Sequence, residues 1–112
     1  MFLIEGVPFK KLLEATSKAI DSLPNPLERK GAGRPRFDSK SRITALIVKA
    51  WLKKGYRDTE VYLSDNRQAL KGFNLKVPDH NTIWRTLTLL PESYLKELNQ
   101  KVASFLKKEK NA

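Results

Sequence analysis

Apolar residues recur with helical periodicity near both ends of this chain. Within residues 8–22 they lie three or four positions apart, and Thr16 fills the one gap in the stripe. The same spacing returns after Pro91, which suits the first position of a last helix reaching about Lys108. The two stripes are Phe9, Leu12, Leu13, Ile20 and Leu23, and then Leu95, Leu98, Val102 and Phe105. Both segments are predicted to be amphipathic helices, the second packing against a neighbouring helix or a second chain.

Residues 39–54 carry apolar side chains around most of a helical circumference. Asp38 or Ser39 is the expected N-cap, and Gly55 is the expected stop near the C-terminal end. Because a helix of this kind must be covered on more than one side, we predict that it forms the centre of the core.

The segment after Gly55 predicts a second helix over residues 58–68, with Asp58 as its N-cap. Asp65 and Asn66 are expected to bend the chain, and residues 67–71 could add a further helical turn. Residues 72–78 form a connector that is long enough to be a loop.

Residues 79–90 predict the third helix of this region. Pro78 stops what precedes it, and Asp79 can accept a hydrogen bond from the open N–H groups of the first turn. At about 100° per residue, one stripe contains Ile83, Leu87 and Leu90, and the opposite side contains Asn81, Arg85 and Thr88. Trp84 lies at the boundary of the apolar stripe and is expected in the core.

The chain contains no convincing strand pattern, so the predicted fold class is all-α. Three helices (about 39–54, 58–68 and 79–90) match the support, positioning and reading helices of a helix-turn-helix core, with additional N- and C-terminal helices. The expected organisation is an N-terminal helix (1–23), a basic Pro/Gly-rich linker or arm (24–37), a helix-turn-helix domain with its C-terminal helix (38–108) and a tail (109–112).

Composition restricts the possible functions. The 112 residues include no cysteine and one histidine, which excludes disulfides, thiol nucleophiles and cysteine-ligated metals and leaves no His cluster for a metal. We expect no cofactor, no small-molecule substrate and no membrane-spanning segment, and a cytoplasmic, nucleoid-associated protein. The formal net charge is +10, and residues 25–57 alone hold ten basic and two acidic side chains, a net +8. A polyanion is the expected partner, nucleic acid before an anionic membrane surface.

The polar side of residues 79–90 offers side chains that can hydrogen-bond base edges in the major groove of DNA. The candidate base-reading residues are His80, Asn81, Thr82, Arg85 and Thr88. The alternative is a capped surface helix without a ligand, in which His80 makes only a local hydrogen bond.

The segment Gly33-Arg-Pro-Arg36 resembles the core of the AT-hook, an extended peptide that lays arginines in the narrow minor groove. Arg34 and Arg36 are therefore candidates for minor-groove or phosphate contacts, and the alternative is a basic linker that touches only phosphates. Further candidates for phosphate contacts are Lys40, Arg42, Lys53, Lys54 and Arg57, which could equally form an ordinary solvated surface.

Four segments form a longer pattern along the chain. In order, they are Gly33-Arg-Pro-Arg-Phe37, Ala45-Leu46 with Lys49, Gly55-Tyr-Arg-Asp-Thr-Glu60 with Asn66, and Val77-Pro-Asp-His-Asn-Thr-Ile83 with Arg85. It resembles the N-terminal DNA-binding region of insertion-sequence transposases of the DDE kind and covers residues 33–90. Asn81 stands where that family usually has Ser, and residues 58–60 depart from its turn motif. The resemblance implies binding to the terminal inverted repeats of a mobile element.

The catalysis of that family does not carry over to this chain. It needs three carboxylates on a ribonuclease-H-like fold that holds two metal ions, and the residues after position 90 predict only one Lys-rich helix. We therefore expect a non-enzymatic, sequence-specific protein that binds double-stranded DNA. The alternatives are a helical module that dimerises through residues 9–23 and 94–106 and binds an acidic protein, and an RNA-binding protein.

Overall fold

The computed structural model describes residues 7–24 and 39–111, and these form α-helices and no strands. The helices are α1 (Phe9–Asp21), α2 (Ser39–Leu52), α3 (Tyr56–Asp65), α4 (Arg67–Gly72), α5 (His80–Leu89) and α6 (Glu92–Asn111). The all-α prediction is confirmed. The arm that contains Arg34 and Arg36 lies outside the described residues, and α6 continues beyond its expected end at Lys108.

Helix α2 lies at the centre of the core, as its sequence predicts. Every residue from Ile43 to Val48 is buried, and α1, α3 and α5 all pack against this helix. Helices α3 and α5 also pack on each other, and their Leu63 and Ile83 belong to the same buried cluster. The three helices expected to form the core are thus in mutual contact, which holds α5 on two sides.

The bounds of the second core helix differ from the prediction. Helix α3 begins at Tyr56, with the extended residue Gly55 in the N-cap position, so the assignment of Asp58 as N-cap is wrong. Asp58 instead lies in the first turn, where a carboxylate favourably faces the positive end of the helix dipole. The helix ends before Asn66, whose side-chain amide donates to the Tyr62 carbonyl at 2.8 Å. The bend expected at Asp65 and Asn66 is thus confirmed as the break between α3 and α4, and the helix predicted over 58–68 spans parts of both.

The end of α2 also differs from the expected glycine stop. The helix ends at Leu52, and Lys53 takes the left-handed conformation with φ of 58°. Gly55 has φ of −75° and ψ of 178°, an extended geometry that many residues could adopt. The left-handed residue that ends α2 is therefore Lys53, and not Gly55 as the sequence suggested.

The connector between α4 and α5 is anchored by a Schellman motif at the end of α4. The Leu75 N–H donates to the Leu70 carbonyl at 2.9 Å, and the Asn74 N–H donates to the Lys71 carbonyl at 3.0 Å. Asn74 supplies the left-handed residue, with φ of 58°, and asparagine tolerates this region better than most residues. Leu70 and Leu75 both belong to the buried core cluster, in keeping with the apolar pair that often accompanies this motif.

Helices α1 and α6 pack against each other and bury the stripes that predicted them, including Leu12, Leu13, Leu98 and Val102. The surfaces that suggested a dimer are thus in contact within one chain.

A second cluster joins α1 to α2 and α3: the rings of Phe9, Trp51 and Tyr62 lie 5.1–5.7 Å apart, centroid to centroid. The Trp51 indole N–H donates to the Val7 carbonyl at 3.1 Å.

We expect Leu98→Ala to lower the free energy of unfolding by about 2–5 kcal/mol, because it opens a cavity at a fully buried position between α1 and α6. The matched control is Leu89→Ala, at a position 49% exposed, which should cost less than about 1 kcal/mol. Urea denaturation followed by circular dichroism measures both. Equal losses for the two variants would contradict the α1–α6 packing.

Candidate nucleic-acid interface

Helix α5 begins where the sequence predicts, because its first turn is capped. One carboxylate oxygen of Asp79 accepts from the Thr82 N–H at 2.7 Å, and Asp79 itself is extended. This backbone hydrogen bond is the main reason that the pKa of Asp79 is lowered. Pro78 is buried directly before the cap, and the Lys76 N–H donates to the Ser41 hydroxyl at 2.9 Å. The entry into α5 is therefore attached to α2.

A second carboxylate attaches α5 to α3. Glu60 Oε1 accepts from the His80 backbone N–H at 2.8 Å and lies 2.8 Å from the Nδ1 atom of the same residue. The hydrogen bond with the His80 ring is the largest cause that lowers the pKa of Glu60, followed by the bond with the His80 backbone. Asp79 and Glu60 thus favour the ionised state at neutral pH, and both bind the first turn of α5.

The buried side of α5 consists of Ile83 and Thr86, both 0% exposed, and of Leu90 at its end. The Thr86 hydroxyl donates to the Thr82 carbonyl at 2.8 Å, so it is satisfied inside the helix. Leu87, predicted to share this stripe, is instead 38% exposed. The helix is rotated so that a small, internally bonded threonine faces the core and the leucine lies at its margin.

The opposite side of α5 is a solvent-exposed stripe formed by Asn81, Trp84, Arg85 and Thr88, which we call the α5 outer stripe. These positions are spaced i, i+3, i+4 and i+7, so their side chains lie on one helical face. Asn81, Arg85 and Thr88 are exposed, as the sequence predicts. The expectation that Trp84 is in the core is wrong, because its side chain is 53% exposed.

Two of the five candidate base-reading residues lie away from the outer stripe. His80 is half-buried and bonded to Glu60, a geometry that matches the alternative of a local hydrogen bond. Thr82 is also half-buried, and its carbonyl and N–H both bond within the first turns of the helix. The Thr88 hydroxyl lies on the stripe and donates to the Arg85 carbonyl at 2.7 Å.

The candidate phosphate-binding residues fall into two groups. Lys53, Lys54 and Arg57 are exposed together around the turn from α2 to α3. Lys40 is half-buried and forms an ion pair with Asp21 at 3.0 Å, which ties the start of α2 to the end of α1; Arg42 is also half-buried. The structure thus gathers three of these cations at one exposed turn, while Lys40 takes part in an internal contact.

Trp84 is the residue of this surface that sequence reasoning missed. Large aromatic side chains are usually buried for much of their area, and Trp84 adjoins Ile83, so the pattern favoured the core. The signal that could have placed it outside is its spacing from Asn81 and Thr88, three residues before it and four after it.

Among the side chains that the structure describes within residues 7–24 and 39–111, no cluster of three or more His, Cys, Asp or Glu could hold a metal ion. No helix of these ranges combines the length and apolar character needed to cross a bilayer. Comparisons with protein-family models, with curated proteins and with solved structures give no match for this chain. The geometry and charge of the outer stripe are therefore the observations that bear on its function.

We expect Asp79→Ala to lower the free energy of unfolding at neutral pH by about 1 kcal/mol, because it removes the N-cap of α5. Asp79→Asn should lose much less, since the amide oxygen can still accept from Thr82. The native pKa of Asp79 is lowered, so its ionised form stabilises the fold fully above the unfolded value of about 3.9. That contribution is lost as the pH falls from there through the native pKa.

Urea titrations of wild type, Asp79→Ala and Asp79→Asn at about pH 7 and about pH 3 measure these effects. Both variants should lose less stability than wild type between the two pH values, because neither carries this titrating carboxylate. An equal loss in all three proteins would contradict the cap.

Proposed function

We propose that this protein binds double-stranded DNA in a sequence-specific manner, with α5 lying in the major groove. The observation that carries the proposal is the α5 outer stripe: polar side chains able to read bases on a capped helix that α2 and α3 support from behind. An α-helix fits the major groove, and rigid support keeps its side chains aligned with the base edges. The resemblance to the end-binding region of insertion-sequence transposases suggests a terminal repeat as the target.

The chemistry of the stripe suits direct readout. Arg85 can donate two hydrogen bonds to the O6 and N7 atoms of guanine, and the amide of Asn81 can pair with the N6 and N7 atoms of adenine. These residues lie one helical turn apart, so they would address neighbouring base pairs. Trp84, on the other side of Asn81 from Arg85, offers an apolar surface to a thymine methyl group or a sugar.

The cations supply the part of binding that does not depend on sequence. Lys53, Lys54 and Arg57 would contact phosphates from the α2–α3 turn, and Arg34 and Arg36 would add contacts from the arm. Each neutralised phosphate contributes about −0.9 to the slope of log affinity against log salt, so about five contacts from these residues contribute roughly −4 to −5 to that slope. Such contacts set the register of the protein on DNA, and the outer stripe then selects the sequence.

Arg85→Ala should weaken binding to the preferred site by roughly 1–3 kcal/mol and relax the preference at one base pair. The site is first obtained by selecting bound duplexes from a random pool, and affinities are then measured by fluorescence anisotropy. Lys101→Ala, at an exposed position of α6, is the control and should leave the preference unchanged. An unaltered preference in Arg85→Ala would refute the reading role of α5.

Trp84 allows an independent test, since the chain contains two tryptophans. In a Trp51→Phe variant, Trp84 is the sole tryptophan, and its exposure of 53% predicts ready quenching by acrylamide. Binding of the selected duplex should reduce that quenching, because the outer stripe becomes covered. The reverse variant, Trp84→Phe, reports on Trp51 in the aromatic cluster and should show little change. Equal quenching of Trp84 with and without duplex would argue that α5 faces away from DNA.

A further inference from the structure

An open groove of about 440 Å³ lies beside α4 and the connector that leads into α5. Two of its lining residues, Arg67 and Lys71, stand one turn apart on α4, and the others belong to the connector. The complete lining is Arg67, Lys71, Asn74, Leu75, Lys76 and Val77. None of these residues was a candidate for DNA contact in the sequence, so the groove is a separate feature of the fold.

The groove is cationic, and its lining contains no carboxylate that would neutralise the charge. Arg67, Lys71 and Lys76 are exposed, and no acidic residue belongs to the lining. In the described part of the chain, none of the three forms an ion pair with a carboxylate. Like charges one helical turn apart repel each other, so Arg67 and Lys71 would be stabilised by an anion between them. An anionic ligand fits this groove better than a neutral one.

The backbone around the groove is held by hydrogen bonds within the protein itself. The Schellman motif sets the path of Asn74 and Leu75, and the Lys76 N–H is held by the Ser41 hydroxyl of α2. Arg67 is restrained as well, because its Nε–H donates to the Ser64 carbonyl at 3.2 Å. A binding surface that is already ordered loses little conformational entropy when it binds. The backbone that carries Lys76 and the side chain of Arg67 are thus held by hydrogen bonds within the protein.

We propose that this groove holds consecutive phosphates of one DNA strand beside the bases that α5 reads, an inference that rests on the proposed function. Lys76 lies three residues before the N-cap of α5 and five before Asn81, so the connector that lines the groove runs into the helix that carries the outer stripe. Three cations in one groove suit the closely spaced charges of a DNA strand. Val77, half-buried at the side, offers an apolar contact to a deoxyribose.

The test removes the three charges together in Arg67→Gln, Lys71→Gln and Lys76→Gln. The matched control removes three exposed cations from the terminal helices, Lys10→Gln, Lys11→Gln and Lys101→Gln. Anisotropy titrations over a range of salt concentrations compare both triple variants with wild type, on the selected duplex and on an unrelated one. All six side chains are exposed, and thermal melting by circular dichroism verifies that both variants fold.

The groove variant should bind both duplexes more weakly by the same factor and keep its preference between them. Its slope of log affinity against log salt should be shallower than that of the control by about 0.9 for each lost phosphate contact, roughly 2–3 in total. Ethylation of DNA phosphates should identify positions next to the base-read site that matter for wild type and no longer matter for the groove variant.

Equal affinity, slope and ethylation pattern in the groove variant and the control would overturn this inference and leave the reading role of α5 intact. Failure of wild type to prefer any duplex would remove the proposed function itself, and with it the basis for a DNA strand in the groove. Loss of binding to an acidic polypeptide such as polyglutamate, with duplex binding unchanged, would assign the groove to a protein partner and would also overturn the inference.

Discussion

Packing of α5 against α2 and α3 fixes the rotation of α5 about its own axis and therefore the direction of each of its side chains. Ile83 and Thr86 face the core, so the helix turns Asn81 and Thr88 directly outward, with Trp84 and Arg85 on either side of them. At about 100° per residue, a rotation by one position would bury part of this stripe. The burial of Ile83 and Thr86 therefore determines which residues form the α5 outer stripe.

The start of α5 is held by three hydrogen-bonded contacts that come from different parts of the chain. Asp79 caps the first turn, Glu60 of α3 binds the backbone and ring of His80, and Ser41 of α2 binds the connector at Lys76. Such contacts restrict the helix in both position and rotation. A preorganised helix has less conformational entropy to lose on binding, which favours affinity and selectivity for one register.

Local signals in the sequence were sufficient for some of these features and insufficient for others. The cap at Asp79, the break at Asn66 and the central position of α2 depend on neighbouring residues or on average hydrophobicity, and they were predictable. The exposure of Trp84 and of Leu87 depends on which helices cover α5, and periodicity within the helix does not contain that information. The Glu60–His80 contact joins residues 20 positions apart and depends on tertiary packing.

The charges around α5 also constrain how a duplex could approach. Asp79 and Glu60, both with lowered pKa values, place negative charge at the N-terminal end of α5, where an open helix would otherwise attract a phosphate. Two groups of exposed cations lie away from that end, one at the α2–α3 turn and one along the groove beside α4. In the proposed complex, a phosphate backbone would be repelled from the tip of α5 and attracted to these two groups of cations. For the proposed function, this distribution favours an approach in which the side of α5, with Asn81 and Arg85 outward, meets the bases.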